Sequence, residues 1–61
     1  MWKVVALFEE GEDTVVIEKI FNSYWDMCNY VTTCESQGAV GGIVSRYNSS
    51  ANKWFYYMDV Q

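Results

Sequence analysis

Thr14-Val15-Val16-Ile17-Glu18-Lys19-Ile20-Phe21-Asn22-Ser23-Tyr24-Trp25-Asp26-Met27-Cys28 decides the fold, because the spacing of apolar residues changes inside it. Up to Phe21 the period is two. Val15, Ile17 and Phe21 share a face with Lys19, while Val16 and Ile20 share the other with Thr14 and Glu18. Alternation in a run rich in β-branched residues predicts a strand over 14–21. From Ser23 the period lengthens. Tyr24, Met27, Cys28, Val31 and Cys34 follow at spacings of three and four and make one helical stripe. Ser23 is a good N-cap, and Asp26 takes the capping-box place usually given to Glu. Asp26 also sets negative charge where a helix terminus is partly positive. Gly38 stands where a C-terminal cap belongs. The helix is predicted from about Ser23 to Gln37.

Upstream, residues 2–9 alternate Trp2, Val4, Ala6 and Phe8 against Lys3, Val5, Leu7 and Glu9, a second strand. Glu10-Gly11-Glu12 separates the two strands, and Gly11 can take the positive φ of a tight hairpin. Downstream, residues 39–47 return to β character, with Gly41-Gly42 weakening the strand or marking a bulge. Residues 48–52 form a polar loop. Residues 53–60 make the last strand, with Trp54, Tyr56, Met58 and Val60 alternating against Phe55, Tyr57 and Asp59.

The order β-β-α-β-β predicts an α+β fold, one domain over residues 1–61. Two hairpins joined by a helix form a four-stranded antiparallel sheet with the helix across one face. The other face has no second helix to cover it. Whichever set of alternating residues lies there is too apolar to be left wholly wet. That face is expected to pack against another chain, as a homodimer or higher homo-oligomer or against a protein partner.

A chain of 61 residues buries only about 60% of its unfolded surface, and small domains usually need a disulfide, a metal or a partner. Cys28 and Cys34 lie about 9 Å apart along a helix axis and on different sides of it, beyond the roughly 7 Å a disulfide spans. They read as two small buried hydrophobes. Without histidine there is no Ser/His/Asp set, and no glycine-rich phosphate loop is present. The expectation is a non-enzyme with no metal and no cofactor.

Net charge is −4, which disfavours nucleic acid and anionic membranes as partners. The four basic residues, Lys3, Lys19, Arg46 and Lys53, are scattered along the chain. No leader pattern and no run of about 20 apolar residues occurs, so a cytoplasmic protein is expected. Two contact regions stand out. Glu9, Glu10, Glu12 and Asp13 crowd one hairpin tip, where carboxylates can steer a basic partner. Tyr47, Trp54, Tyr56 and Met58 belong to an aromatic last hairpin, and the eleven rings of the chain (three Trp, five Tyr, three Phe) exceed what one helix-on-sheet layer hides.

The paired strands around Glu10-Gly11-Glu12, the helix from Ser23 and the strand after Gly38 make a layout that resembles small phage-encoded inhibitors of host proteins, including inhibitors of bacterial RNA polymerase. The resemblance lies in layout and acidic composition, and it carries no residue's role across. It implies an inhibitor or adaptor acting on a protein in the host cytoplasm. Two other uses fit the same residues: a homo-oligomer sequestering a nucleotide-like ligand, with rings on the base and Arg46 or a lysine at the phosphate, and a structural subunit of a larger assembly.

Overall fold

Gly11 closes the first hairpin. Its φ is +65° while Glu12 stays at negative φ, the sign pattern of a type II′ turn. This two-residue turn sets Glu10 opposite Asp13 and pairs β1 (Trp2–Glu10) with β2 (Asp13–Phe21) without interruption down to Trp2 and Phe21. The computed structural model describes all 61 residues.

After β2 the chain turns into α1 (Tyr24–Ser36), capped as its sequence predicts. The Ser23 side-chain oxygen accepts from the Asp26 N–H at 3.3 Å. At the other end Gly38, at φ +93°, closes a Schellman motif. The Ala39 N–H donates to the Cys34 carbonyl at 2.9 Å, and the Gly38 N–H donates to the Glu35 carbonyl at 3.2 Å. Ala39 and Cys34 are both buried, which supplies the apolar contact of that motif.

The motif turns the chain back into β3 (Gly41–Asn48), which pairs with β1 rather than with β2. The final hairpin adds β4 (Lys53–Asp59). The sheet therefore runs β2-β1-β3-β4, antiparallel throughout, with β2 and β4 as its edges. Helix α1 lies across β1 and β2. Between helix and sheet sit Val4, Ala6, Met27, Val31, Cys34, Ala39, Val44 and Val60, all buried. The Gln61 N–H reaches the Glu35 carboxylate at 2.7 Å and ties the end of the last strand to the helix.

Which sheet face meets the helix follows from the core. Val4 and Ala6 are fully buried, so Trp2, Val4, Ala6 and Phe8 point to the helix, and Lys3, Val5, Leu7 and Glu9 point away. Paired residues in an antiparallel ladder share a face, so register assigns the remaining strands.

The expected alternation of β4 does not survive this test. Val44 pairs with Met58, yet Ser45 pairs with Tyr56, leaving Tyr57 as an extra residue. A bulge of this kind shifts the parity of the strand. Trp54 and Tyr56 face away from the helix, whereas Met58 pairs with buried Val44 and packs against the core. Gly41-Gly42 is not the bulge. Gly42 sits opposite Ala6 at φ +146°, where a Cβ would come 2.0 Å from the Val5 carbonyl oxygen. The glycine is there because two backbones approach too closely for any side chain. No helix is long and apolar enough to cross a membrane.

Candidate functional site

The sheet face turned away from the helix carries Lys3, Val5 and Leu7 from β1, Val16, Glu18 and Ile20 from β2, Ile43, Ser45 and Tyr47 from β3, and Trp54 and Tyr56 from β4. Nothing in the chain covers it. Tyr56 is 63% exposed, Val16 61%, Ile20 52% and Ile43 42%, high values for large apolar groups on one continuous surface. The sequence places the rings here because β4 alternates normally from Trp54 to Tyr56 before the bulge intervenes.

One end of this face is tied together by contacts among its own residues. The Tyr47 and Trp54 rings meet edge-on at 5.2 Å, and the Tyr47 hydroxyl donates to the Asn52 side-chain oxygen. Lys3 Nζ stands 4.7 Å from the Trp54 ring centroid and 3.7 Å from the Glu18 carboxylate. One ammonium thus bridges a ring at one edge of the sheet and a carboxylate at the other. Tyr56 has its phenol pKa raised, chiefly because the neighbouring Asp59 carboxylate favours the protonated form. It presents a neutral hydroxyl donor at ordinary pH.

The two contact regions expected from sequence lie at opposite ends of the molecule. The ladder between β1 and β3 ends at Leu7 and Gly41, so Glu9, Glu10, Glu12 and Asp13 occupy a two-stranded ribbon that projects beyond the sheet. All four carboxylates are exposed. Tyr47 and Trp54 sit past Trp2, at the far end of the long axis of a molecule 41 × 21 × 15 Å in extent. No single flat surface spans both.

The four basic residues, scattered in sequence, gather in space. Arg46 pairs with Trp2, Ser45 with Lys3, Lys19 with Val4 and Lys53 with Asn48, which sets all four in the half opposite the acidic tip. Each lies over a ring: Lys3 on Trp54, Lys19 on Phe21 and Tyr30, Arg46 on Trp2, Lys53 on Phe55. Strand register sets the cations at this end, and the rings gathered there give each a cation–π contact. Trp2 to Glu10 is eight steps of strand, about 27 Å at 3.4 Å per residue, so the chain is polar along its length.

A second aromatic group lies on the helix side, where sequence reading did not look. Trp2 contacts Tyr24 at 5.3 Å and Tyr57 at 4.8 Å, both edge-on, and Arg46 stands 5.4 Å over its ring. Tyr24 in turn meets Trp25 at 5.7 Å, and Trp25 is 74% exposed. Trp25 falls outside the stripe formed by Tyr24, Met27, Cys28, Val31 and Cys34, and that was the signal available in the sequence. The Tyr24 phenol is held protonated well above its usual range, first by the Tyr57 hydroxyl and then by the Cys28 thiol. Near these rings a shallow groove of about 460 Å³ is lined by Arg46, Tyr47, Asn48, Ser49, Phe55, Tyr56 and Tyr57.

The cysteines are free, Cys34 buried and Cys28 half-buried. No three His, Cys, Asp or Glu side chains come together as a metal site. No family model matches the chain, no curated protein matches it and no solved structure matches it. The reading of function rests on the geometry of this chain.

Proposed function

We propose that the chain is a small protein-binding module of the inhibitor or adaptor kind, and that the open sheet face is its contact surface. The observation that carries this reading is the row Val16, Ile20, Ile43, Trp54 and Tyr56. It is apolar and aromatic, supported by strands, and covered by nothing. Trp and Tyr on a rigid strand are the side chains that most often anchor interface centres, because they offer large area at small entropic cost. The acidic tip of Glu9, Glu10, Glu12 and Asp13 supplies steering charge for a partner with a basic rim. Met58, which faces the core, is not part of the contact.

Affinity capture with the wild-type chain, Trp54→Ala and Tyr56→Ala tests this reading. Both substitutions are expected to weaken partner binding by more than about 1 kcal/mol, roughly fivefold in Kd, while far-UV circular dichroism is unchanged. Equal capture by all three forms refutes it.

The groove beside Arg46 supports a second reading, a nucleotide-like ligand with its base against Phe55 or Tyr57 and its phosphate at the guanidinium. A rise in melting temperature with added nucleotide, lost in Arg46→Ala, is the result that favours this reading over the first.

A further inference from the structure

The two edges of the sheet are not alike. Edge β4 is interrupted by its bulge at Tyr57, a common device for stopping strand addition. Edge β2 has no bulge, and its register with β1 runs unbroken from Asp13 to Phe21. The chain contains no proline to guard it. Residues 13–20 are all exposed, and Val15, Val16, Ile17 and Ile20 make the strand apolar on both faces. Every second residue of β2 turns its N–H and C=O away from β1 with no partner, a template for another strand.

We infer that β2 of a second copy occupies this edge, antiparallel, to form one eight-stranded sheet with β4 at both outer edges. This inference is independent of the role proposed for the open face. Symmetry and charge narrow the register, and the number of residues paired selects it. A two-fold pair of antiparallel strands has its axis normal to the sheet, so each residue opposes one from the same face. The axis must therefore pass between one residue of β2 and its own copy. On Glu18 it would oppose two carboxylates, and on Lys19 two ammonium groups, both destabilising. On Ile17, the central residue of the strand, all nine residues of β2 pair and no like charges meet. Ile17 then opposes its own copy, Val16 opposes Glu18, Val15 opposes Lys19 and Asp13 opposes Phe21.

The same axis reverses the long direction of the second molecule. Each acidic tip comes beside the basic half of its neighbour, with Asp13 diagonal to Lys19 on the same face and within reach of its long side chain. The polarity along the chain is thereby complementary, twice over. On the helix side, the Ile17 of the second copy lies next to a groove of about 400 Å³ that Phe8, Val15, Ile17 and Gln37 help to line.

Sedimentation at about 100 µM, where a micromolar Kd fills the complex, is expected to give the mass of two chains. A wild-type monomer there overturns the inference. Val16→Glu sets a carboxylate against Glu18 at two symmetry-related places and is expected to raise Kd about tenfold, whereas Val16→Lys leaves it unchanged or lowers it. Equal weakening by both places Val16 on the axis and overturns the register. No effect from either overturns the edge. Tyr56→Ala, on the open face away from β2, is expected to keep the dimer. Loss of the dimer in that variant moves the interface to the open face and overturns the inference. If the Val16 variants do not fold, Ile17→Cys decides. Mild oxidation of that variant should join the two introduced thiols across the axis in peptide maps, because facing Cα atoms at about 4.5–5.5 Å suit a disulfide. Absence of the cross-linked peptide overturns the proposal.

Discussion

Gly42→Ala should unfold this protein, and the reason is local. Gly42 lies in a central strand, opposite Ala6, and its carbonyl accepts the Val60 N–H at 3.0 Å. Its φ of +146° is glycine territory, which costs another residue about 1–3 kcal/mol. An added Cβ would also stand 2.0 Å from the Val5 carbonyl oxygen and 3.0 Å from the Ala6 Cα, both of them backbone that cannot swing aside. The β1–β3 ladder must then part at the fully buried core residue Ala6, one pair in from its Leu7–Gly41 end. A domain of 61 residues has about 3–9 kcal/mol of stability in all. Strain plus a broken central ladder should exceed about 4 kcal/mol and consume most or all of that. Gly38→Ala is the control. Its φ of +93° is also unfavourable, but nothing lies within 4 Å of the added carbon. It should cost only the backbone term, about 1–2 kcal/mol. Urea unfolding followed by tryptophan fluorescence and far-UV circular dichroism measures both. If Gly42→Ala falls within about 1 kcal/mol of Gly38→Ala, the collision is not real and the account of this strand pair is wrong.

Met27 is the largest fully buried side chain, so Met27→Ala should cost about 2–5 kcal/mol, while Trp25→Ala, at an exposed position of the same helix, should stay within about 0.5 kcal/mol. Comparable losses in a denaturant series would contradict the burial assigned to the two residues. High pH offers a separate check. Tyr24 is raised by Tyr57 and Cys28, Tyr30 by burial and then Cys34, and Tyr56 by Asp59. The fold holds the neutral phenol in each case. The associated stability is present below the unfolded tyrosine pKa of about 10 and is lost as pH rises through the higher folded values. Tyrosinate absorbance should therefore rise late, and melting temperature should fall above about pH 10. A single transition at the unfolded value, with flat stability, would count against these environments. Asp59→Asn should shift the Tyr56 part of the curve downward.

Element identity was legible because it rests on short-range physics. The change of period at Phe21–Ser23, the Ser23 cap and Gly38 report local backbone preference, and the structure places α1, its N-cap and its C-terminal motif where these residues imply. The exposed rings were legible only as a surplus. Counting side chains shows that some must lie outside, but not which. Alternation groups Trp54, Tyr56 and Met58 on one face, yet Met58 turns to the core while the other two face away, because one extra residue in β4 inverts parity and leaves no mark on the alternation of the strand. Trp25 was overlooked, although its place off the helical stripe was readable.

The amino-acid sequence by itself determined the order β-β-α-β-β, the turn at Gly11 and the helix ends, since each depends on residues a few positions apart. Only the tertiary structure decided which sheet face meets the helix. It also decided that β3 pairs with β1, that Gly42 has no room for a side chain, and that four scattered cations share one end opposite the acidic tip. Those facts depend on which strands become neighbours and in what register. Register is set by contacts among residues far apart in the chain, of which a one-dimensional pattern holds no direct trace.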